Sequence, residues 1–306
     1  MRRSHVLATV AALVFSGLST AWSQPAQATA PIEAAGVQPA TSAVFVIVGE
    51  NKSLAQMTST PAEDPYILKT LKPAGAWFTG YNSATTGSLA DYIALTSGQY
   101  AECQRHGPCG RFDVPSIFSQ LGEGNWQDWN ESMPSSCYPH KSGSASTFNF
   151  YKEGHNPALW YTNLKTSCPS YDIPTGGTGA NDMRVFDQAL AAGNVAKYNF
   201  IAPNGCESAY LLCGMSQVTS FDNFLKHEIP LIEASPAYGA DSLIIVTFDE
   251  GHPGKSTMLS VTGPKVVPGT YGGYYDHYST VATIENRLGL SCLANACTAR
   301  LLPIFG

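Results

Sequence analysis

Two pairs of oxygen-bearing side chains each follow a short apolar run rich in β-branched residues. Glu50 and Asn51 come after the first run, and Asp249 and Glu250 come after the second. Three carboxylates and an amide that converge would repel one another without a cation, and oxygen ligands suit a hard ion such as calcium, magnesium or manganese. The alternative is that these side chains are helix caps or solvated loop ends. The two pairs together favour a divalent metal site.

A serine elsewhere in the chain is well placed to act as a nucleophile toward phosphate. Ser88 directly precedes the apolar segment 89–96, which has helical spacing, so it lies at or near a helix N-terminus. First-turn amides can bind an anion there, and a metal would lower the pKa of the hydroxyl. The alternative is an ordinary N-cap in which Ser88 and Asp91 form a capping box.

The elements that must position these residues alternate between strands and helices. Apolar runs predict strands at residues 43–48, 75–79, 197–201 and 242–248. Helix-compatible spacing occurs at residues 65–71, 89–96, 114–122, 183–192, 216–233 and 278–288. This alternation predicts an α/β fold of three layers, with helices on both faces of a mostly parallel sheet. Ligands gather beyond the carboxyl ends of such strands, so both oxygen-bearing pairs are expected at one rim.

The segment 132–179 is rich in Ser, Gly, Pro and Tyr and is long for a loop. Long ordered loops in compact domains tend to build active sites. No clear boundary divides residues 42–306, so we interpret them as a single domain.

Composition excludes some classes of function. The 306 residues are 44% hydrophobic but only 13% charged, and the formal net charge is −6. An acidic chain without a Lys/Arg run is a poor candidate for binding nucleic acid. It also lacks the polybasic patch that would hold it on an anionic membrane.

The N-terminus has the pattern of a signal peptide. Arg2 and Arg3 precede an apolar stretch at 6–18, and residues 26–28 form an A-x-A cleavage site. A membrane anchor is the alternative, but this stretch is too short to span a bilayer. We therefore predict a signal peptide at 1–28, a flexible lead-in at 29–41 and a secreted protein without a stable membrane anchor.

The cysteines agree with export, because an even number lies in the mature chain, as in disulfide-bonded extracellular proteins. They are Cys103, Cys109, Cys137, Cys168, Cys206, Cys213, Cys292 and Cys297. Three pairs close in sequence (103/109, 206/213 and 292/297) would each close a small loop, which leaves 137 with 168. Spacing alone does not fix this connectivity.

The order of six sequence blocks resembles the phosphoesterase family of bacterial phospholipases C and acid phosphatases, within the alkaline phosphatase superfamily. The blocks are VIVGENKS (46–53), SLADYIALTSG (88–98), GHNP (154–157), NFIAPN (199–204), VTFDEG (246–251), and DHYS with TIE (276–279 and 283–285). The resemblance implies an alkaline phosphatase-like three-layer fold and hydrolysis of phosphate esters.

The resemblance also implies roles for particular residues. The implied metal ligands are Glu50, Asn51, Asp249 and Glu250, with the Ser88 oxygen completing the shell. Ser88 would attack phosphorus and form a phosphoseryl intermediate. His155 and His277 would contact the phosphoryl oxygens or protonate the leaving group, since the pKa of histidine lies near working pH. Substrate binding is assigned to Asp91 and Asn204.

Two positions depart from the family pattern. Asp91 stands where the family usually has an Asn that helps hold the phosphate. After Asn204 the chain reads GCESAY, where the family usually has Asp and His residues, so Glu207 either supplies part of a ligand set or that set is missing. A changed substrate or a weakened enzyme would follow.

We therefore expect a secreted, metal-dependent phosphoric ester hydrolase of the acid phosphatase type, acting on a small phosphate ester. One alternative is a phospholipase C-type diesterase acting on a phospholipid head group. A second alternative is a secreted binding protein on a decayed enzyme scaffold, since a fold does not by itself establish activity.

Overall fold

The computed structural model describes residues 36–101, 109–140, 151–179 and 181–306. The predicted signal peptide and most of the lead-in therefore lie outside the described residues. The strands are β1 (Val44–Gly49), β2 (Ala76–Phe78), β3 (Tyr81–Asn82), β4 (Trp126–Asn130), β5 (Asp172–Pro174), β6 (Tyr198–Ala202), β7 (Leu243–Phe248), β8 (Leu259–Thr262), β9 (Gly269–Tyr271) and β10 (Tyr275–Asp276).

The α-helices are α1 (Leu54–Ser59), α2 (Lys72–Ala74), α3 (Ser88–Ser97), α4 (Ile117–Leu121), α5 (Cys168–Tyr171), α6 (Arg184–Ala192), α7 (Gln217–Ala234) and α8 (His277–Leu288). A π-helical turn, Ile67–Leu71, leads into α2. Short 3-10 helices form at Glu153–His155, Ala158–Trp160, Thr162–Leu164 and Ala294–Thr298.

Eight of the strands form one sheet in the order β5-β4-β6-β1-β7-β8-β2-β9. Every neighbouring pair is parallel except the two that involve β8, which is antiparallel to both β7 and β2. The central strands β6, β1 and β7 are buried along their whole length. This matches their nearly continuous apolar sequences, as expected for parallel strands covered on both faces.

Alternate residues of β1 point into two separate cores. Val44, Val46 and Val48 pack with apolar side chains of α3, α4 and α8 on one face of the sheet. Phe45 and Ile47 pack with side chains of α6 and α7 on the other face. The two-residue period of the strand therefore divides the apolar residues between two helical layers. The predicted three-layer α/β fold with a mostly parallel sheet is confirmed.

Strand β4 has no counterpart among the predicted strands. Its sequence, WQDWN, is polar at three of five positions, yet all five residues are buried. Gln127 accepts a hydrogen bond from the Ala196 amide at 2.8 Å, and Asn130 donates to Asp172 at 3.0 Å. These partners come from other parts of the chain, so local periodicity did not indicate the strand.

Three disulfides link described cysteines. They are Cys137–Cys168, Cys206–Cys213 and Cys292–Cys297. Cys109 is also disulfide-bonded, and its expected partner Cys103 lies outside the described residues. The three observed bonds join the pairs that sequence spacing suggests.

A buried carboxylate on α8 gives the fold a testable pH dependence. Glu285 accepts a hydrogen bond from the Leu293 amide at 2.7 Å, and burial raises the pKa of its carboxyl to about 7 from an ordinary value of 4.5. Ionisation therefore disfavours the folded state, and stability is lost as pH rises from 4.5 towards 7. We expect Glu285→Gln, which keeps the acceptor oxygen, to recover roughly 1–3 kcal/mol at pH 8 but nothing at pH 4.

Urea unfolding between pH 4 and 8 measures this difference. Glu123 is exposed, so Glu123→Gln serves as the control and should leave the pH dependence unchanged. If Glu285→Gln had the same pH dependence of stability as the wild type, the assigned cost of ionising Glu285 would be wrong.

Candidate active site

Neighbouring parallel strands bring the first two acids side by side. β1 and β7 are paired up to Gly49 and Phe248, so Glu50 and Asp249 leave the sheet at adjacent positions. Both carboxylates are fully buried. Asn51 adopts a left-handed backbone conformation with φ 57°, which Asn tolerates better than most residues, and its amide donates to Asp249 Oδ1 at 2.7 Å.

The hydroxyl of Ser88 lies on this acid pair. Ser88 Oγ donates to Glu50 Oε2 at 2.9 Å, and the side-chain amide of Asn51 donates to the same oxygen at 2.9 Å. Ser88 is the first residue of α3, whose N-cap is Gly87 and has no side-chain cap. The alternative of a Ser88–Asp91 capping box is therefore wrong, and the hydroxyl is directed to the acids.

Glu250 fixes the turn that presents Ser88. Its Oε2 accepts a hydrogen bond from the Gly87 amide at 3.0 Å. Gly87 has φ 135°, a backbone conformation that L side chains rarely adopt. The end of β7 and the start of α3 are thus tied together through one backbone amide.

Burial makes the ionised acid pair costly. Burial, followed by the adjacent Asp249 carboxylate, raises the pKa of Glu50 well above its ordinary value. Burial likewise raises the pKa of Asp249 to about 6, although the Asn51 amide and the Ser88 hydroxyl lower it. Asp249 Oδ2 is buried without a hydrogen-bond partner among the described residues. Such a pair needs a proton or a cation close by.

These residues fit a divalent cation by donor type. Glu50, Asn51, Ser88 and Asp249 bring carboxylate, amide and hydroxyl oxygens together, and hard cations prefer oxygen ligands. The carboxylate of Glu250 lines the same cleft.

His155 reaches the acid pair from the predicted long loop. It ends the 3-10 helix Glu153–His155, and its Nε2 lies 3.1 Å from Glu50 Oε1. Its ring stacks on Tyr92 of α3, with centroids 5.4 Å apart and planes 5° apart. The segment between β4 and β5 therefore contributes to the site, through a residue held by Tyr92 of α3 and by Glu50, which directly follows β1.

His277 lies beneath the site rather than in the cleft. It is the first residue of α8 and is fully buried. Its Nε2 lies 3.3 Å from the carbonyl oxygen of Phe248, and its Nδ1 lies 3.4 Å from Asp91 Oδ1. Asp91 Oδ1 also accepts from the Thr85 amide at 2.8 Å, so this carboxylate supports the loop before Ser88.

Asn204 is also occupied by protein groups. Its side-chain amide donates to Glu131 at 2.8 Å, and its Oδ1 accepts from the Cys206 amide at 2.8 Å. Neither Asp91 nor Asn204 is among the described residues that line the cleft. Substrate contacts by these two residues remain predictions. Glu207 lines a different cleft, away from Ser88.

The cleft above Ser88 has a volume of about 960 Å³. Sequence reasoning assigned no role to several residues that line it. They include Lys52, Lys152, Tyr210 and His252. The Lys152 ammonium lies 3.3 Å from the centroid of the Tyr210 ring. Burial lowers the pKa of Lys52, although Asp249 and Glu50 oppose this. Lys52 directly follows Glu50 and Asn51 in the sequence, and this position was the signal that could have identified it as a residue of the site.

The mostly parallel sheet and its covering helices form an alkaline phosphatase-like α/β fold. A superfamily protein from Vibrio parahaemolyticus has a TM-score of 0.56 and 13% identity, covering 87% of this chain and 72% of that chain. The phosphonate monoester hydrolase from Silicibacter pomeroyi has a TM-score of 0.54 and 15% identity, covering 85% and 76%. Murine ectonucleotide pyrophosphatase/phosphodiesterase 5 in complex with AMP has a TM-score of 0.55 and 10% identity, covering 82% and 96%.

The chain belongs to the Phosphoesterase family, whose model matches residues 45–254. It is a hydrolase that acts on phosphoric ester bonds. No curated protein sequence matches the chain closely enough to count as a relative. The matched range contains Glu50, Ser88, His155 and Asp249, whereas His277 lies beyond it.

The turn at Gly87 gives a test of how the site is built. A side chain at φ 135° is strained, so we expect Gly87→Ala to destabilise the fold by about 1–3 kcal/mol. It should also lower phosphoric ester hydrolysis, because Ser88 and the bond to Glu250 would shift. The measurements are urea unfolding and initial rates. Gly272→Ala is the control, since an added Cβ meets nothing within 4 Å there. Equal stability of the two variants would contradict the strain argument.

Proposed function

We propose that the protein is a secreted, metal-dependent phosphomonoesterase of the acid phosphatase type that acts through a phosphoserine intermediate at Ser88. The observation that carries the proposal is the Ser88 hydroxyl, 2.9 Å from Glu50 Oε2 in the floor of a 960 Å³ cleft. This hydroxyl does not cap the helix. A helix-start hydroxyl on a buried carboxylate is suited to nucleophilic attack.

The chain's own residues account for the binding of the phosphoryl group. α3 begins at Ser88, so its first-turn amides surround the hydroxyl and favour an anion. Lys52 and Lys152 line the same cleft and supply positive charge. The bond to Glu50 orients the hydroxyl, so that the oxygen lone pairs are available to the substrate.

In the proposed reaction the Ser88 hydroxyl gives its proton to Glu50, which accepts its hydrogen bond, and the Ser88 oxygen bonds to phosphorus as the ester P–O bond breaks. The leaving oxygen takes a proton, which we assign to His155 because this residue lines the cleft. Water then attacks the phosphorus of the phosphoseryl ester, a proton from that water passes to the departing Ser88 oxygen, and inorganic phosphate leaves. We assign a positioning role to His277, because it is buried against Asp91 beneath the loop that precedes Ser88.

The proposed metal ligands are Glu50, Asn51, Asp249 and Glu250, with the Ser88 hydroxyl. A bound calcium, magnesium or manganese ion would supply positive charge against the phosphoryl oxygens and would lower the pKa of the Ser88 hydroxyl. This set also argues against a decayed binding protein, because the nucleophile and the acids remain in contact.

Secretion and the domain limits belong to the same proposal. We infer a cleaved signal peptide at 1–28, a lead-in at 29–41 and one catalytic domain at 42–306. Three disulfides among the described residues are consistent with an oxidising compartment. No helix in the described part of the chain is long and apolar enough to cross a membrane.

Replacement of Ser88 tests the nucleophile. We expect Ser88→Ala to lower hydrolysis of an aryl phosphate monoester by at least about 1,000-fold, since a lost nucleophile has effects of this size or larger. A chelator should abolish wild-type turnover, and a divalent ion should restore it. Ser116→Ala is the matched control, because Ser116 caps α4 with its side chain and lies outside the cleft.

The control variant should lose about 1 kcal/mol of stability but keep its activity. Activity that survives Ser88→Ala would refute the assigned nucleophile. Full activity in chelator would refute the metal requirement. No turnover of any ester with any common divalent ion would favour the decayed binding protein.

A phospholipase C-type diesterase is the second candidate, because apolar side chains are exposed beside the cleft. Leu212 is 77% exposed and Met215 is 46% exposed. Leu212 lies within the loop closed by Cys206–Cys213, and Tyr210 of that loop lines the cleft. An apolar rim of this kind could contact a lipid surface around the head group.

Polar substitutions on this rim separate the two candidates. For a diesterase, the double variant Leu212→Ser/Met215→Ser should hydrolyse phosphatidylcholine vesicles roughly tenfold more slowly, because apolar burial at the lipid surface is lost. Hydrolysis of a soluble phosphocholine ester should not change. Leu301→Ser is the control, since Leu301 is 46% exposed and does not line the cleft. If the wild type does not hydrolyse the vesicles, the diesterase is excluded and the monoesterase is the remaining candidate.

A further inference from the structure

A second cleft, of about 470 Å³, lies between α6 and α7. No described residue lines both this cleft and the one above Ser88. Its wall contains Asp187 of α6, His227 and Glu228 of α7, and Glu207 from the loop after β6. Elements far apart in sequence therefore direct three carboxylates and an imidazole to one place.

Three of these side chains are close enough to share one ion. Ligand atoms of Asp187, His227 and Glu228 all lie within 4.8 Å of one another. The only other such group among the described residues is Cys137, Cys168 and Asp172, and its two cysteines form a disulfide. The group at Asp187 is therefore the one whose ligand atoms are chemically free to bind.

A buried carboxylate oxygen without a hydrogen-bond donor indicates that a binding partner is missing at this cleft. Glu228 is 2% exposed, and its Oε1 lies 2.8 Å from His227 Nδ1. Its Oε2 is buried against the Asp187 carboxylate, and no N–H or O–H donor reaches it among the described residues. Asp187 Oδ1 is likewise buried without such a donor. Buried carboxylate oxygens normally have a partner, so each of these two atoms requires an explanation.

The neighbouring charges increase the need for a cation. Asp187, Glu207 and Glu228 line one cleft, whereas Arg184, which also lines it, pairs with Asp182 at 3.8 Å. Asn204 donates hydrogen bonds to Glu131 from its backbone amide and its side-chain amide. Neither of these hydrogen bonds involves Glu228. Like charges in a buried group stay together only with protons or a counter-ion.

We propose that Asp187, His227 and Glu228 form a second divalent-cation site, with Glu207 as an additional acid at its edge. An imidazole and carboxylates favour a transition ion such as zinc over calcium, which takes oxygen ligands alone. The ion would join α6 to α7 and neutralise the buried acids. This site is distinct from the one proposed at Ser88, and it would stabilise the fold rather than contact the phosphate ester.

The test is a metal titration of chelator-stripped, full-length protein. Zinc binding is measured by calorimetry, and cobalt is added separately because its visible spectrum reports ligand type. We expect the wild type to bind two ions and Asp249→Asn to keep the second site. Glu228→Gln should lose the second site, with affinity at least about 100-fold weaker, while it keeps wild-type phosphatase activity. His140→Ala, at an exposed histidine outside both clefts, should bind like the wild type.

Thermal unfolding gives an independent readout. In chelator, Glu228→Gln should be at least as stable as the wild type, because one of the crowded acids becomes neutral. Zinc should then raise the melting temperature of the wild type and of Asp249→Asn, but not that of Glu228→Gln. If zinc stabilises Glu228→Gln as much as the wild type, or if Asp249→Asn binds no ion, the acids share protons and the proposed site is refuted.

Discussion

The juxtaposition of two buried carboxylates, Glu50 and Asp249, is the constraint on which the rest of the site depends. Parallel pairing of β1 and β7 forces them to leave the sheet side by side, and the surrounding layers exclude water. Removing one ionised carboxylate from water is costly, and removing two together costs more. The hydroxyl of Ser88, the amide of Asn51 and the imidazole of His155 all compensate this charge.

The same constraint explains why α3 must begin where it does. Ser88 can reach Glu50 only because Gly87 adopts φ 135° and donates its amide to Glu250. Three residues further on, Asp91 binds the Thr85 amide and lies against His277. The loop before α3 is therefore held from the cleft side by Glu250 and from beneath by Asp91. A rigid nucleophile results from hydrogen bonds made by acids that do not themselves react.

Sequence patterns predict the central strands and the acids at their ends, because β1 and β7 are continuous apolar runs with polar residues directly after them. They do not predict β4, since its polar side chains are satisfied by partners that only the folded chain supplies. The sequence also does not show how deeply a side chain is buried. The polar run around His277 indicates a surface or a site, yet the fold buries this residue completely. The resemblance to the family implies that Asp91 and Asn204 bind the substrate. In the structure both side chains are hydrogen-bonded to protein groups.

The carboxyl edge of the sheet carries acids after four neighbouring strands, and their partners determine what each group can do. After β1 and β7, the acids meet a hydroxyl and an amide, which favours a hard cation and a phosphoryl group. After β4 and β6, Glu131 and Glu207 meet each other and the acids of α6 and α7, beside an imidazole. Because a nitrogen ligand selects for a different class of ion, the two metal sites proposed at this edge need not compete for the same metal.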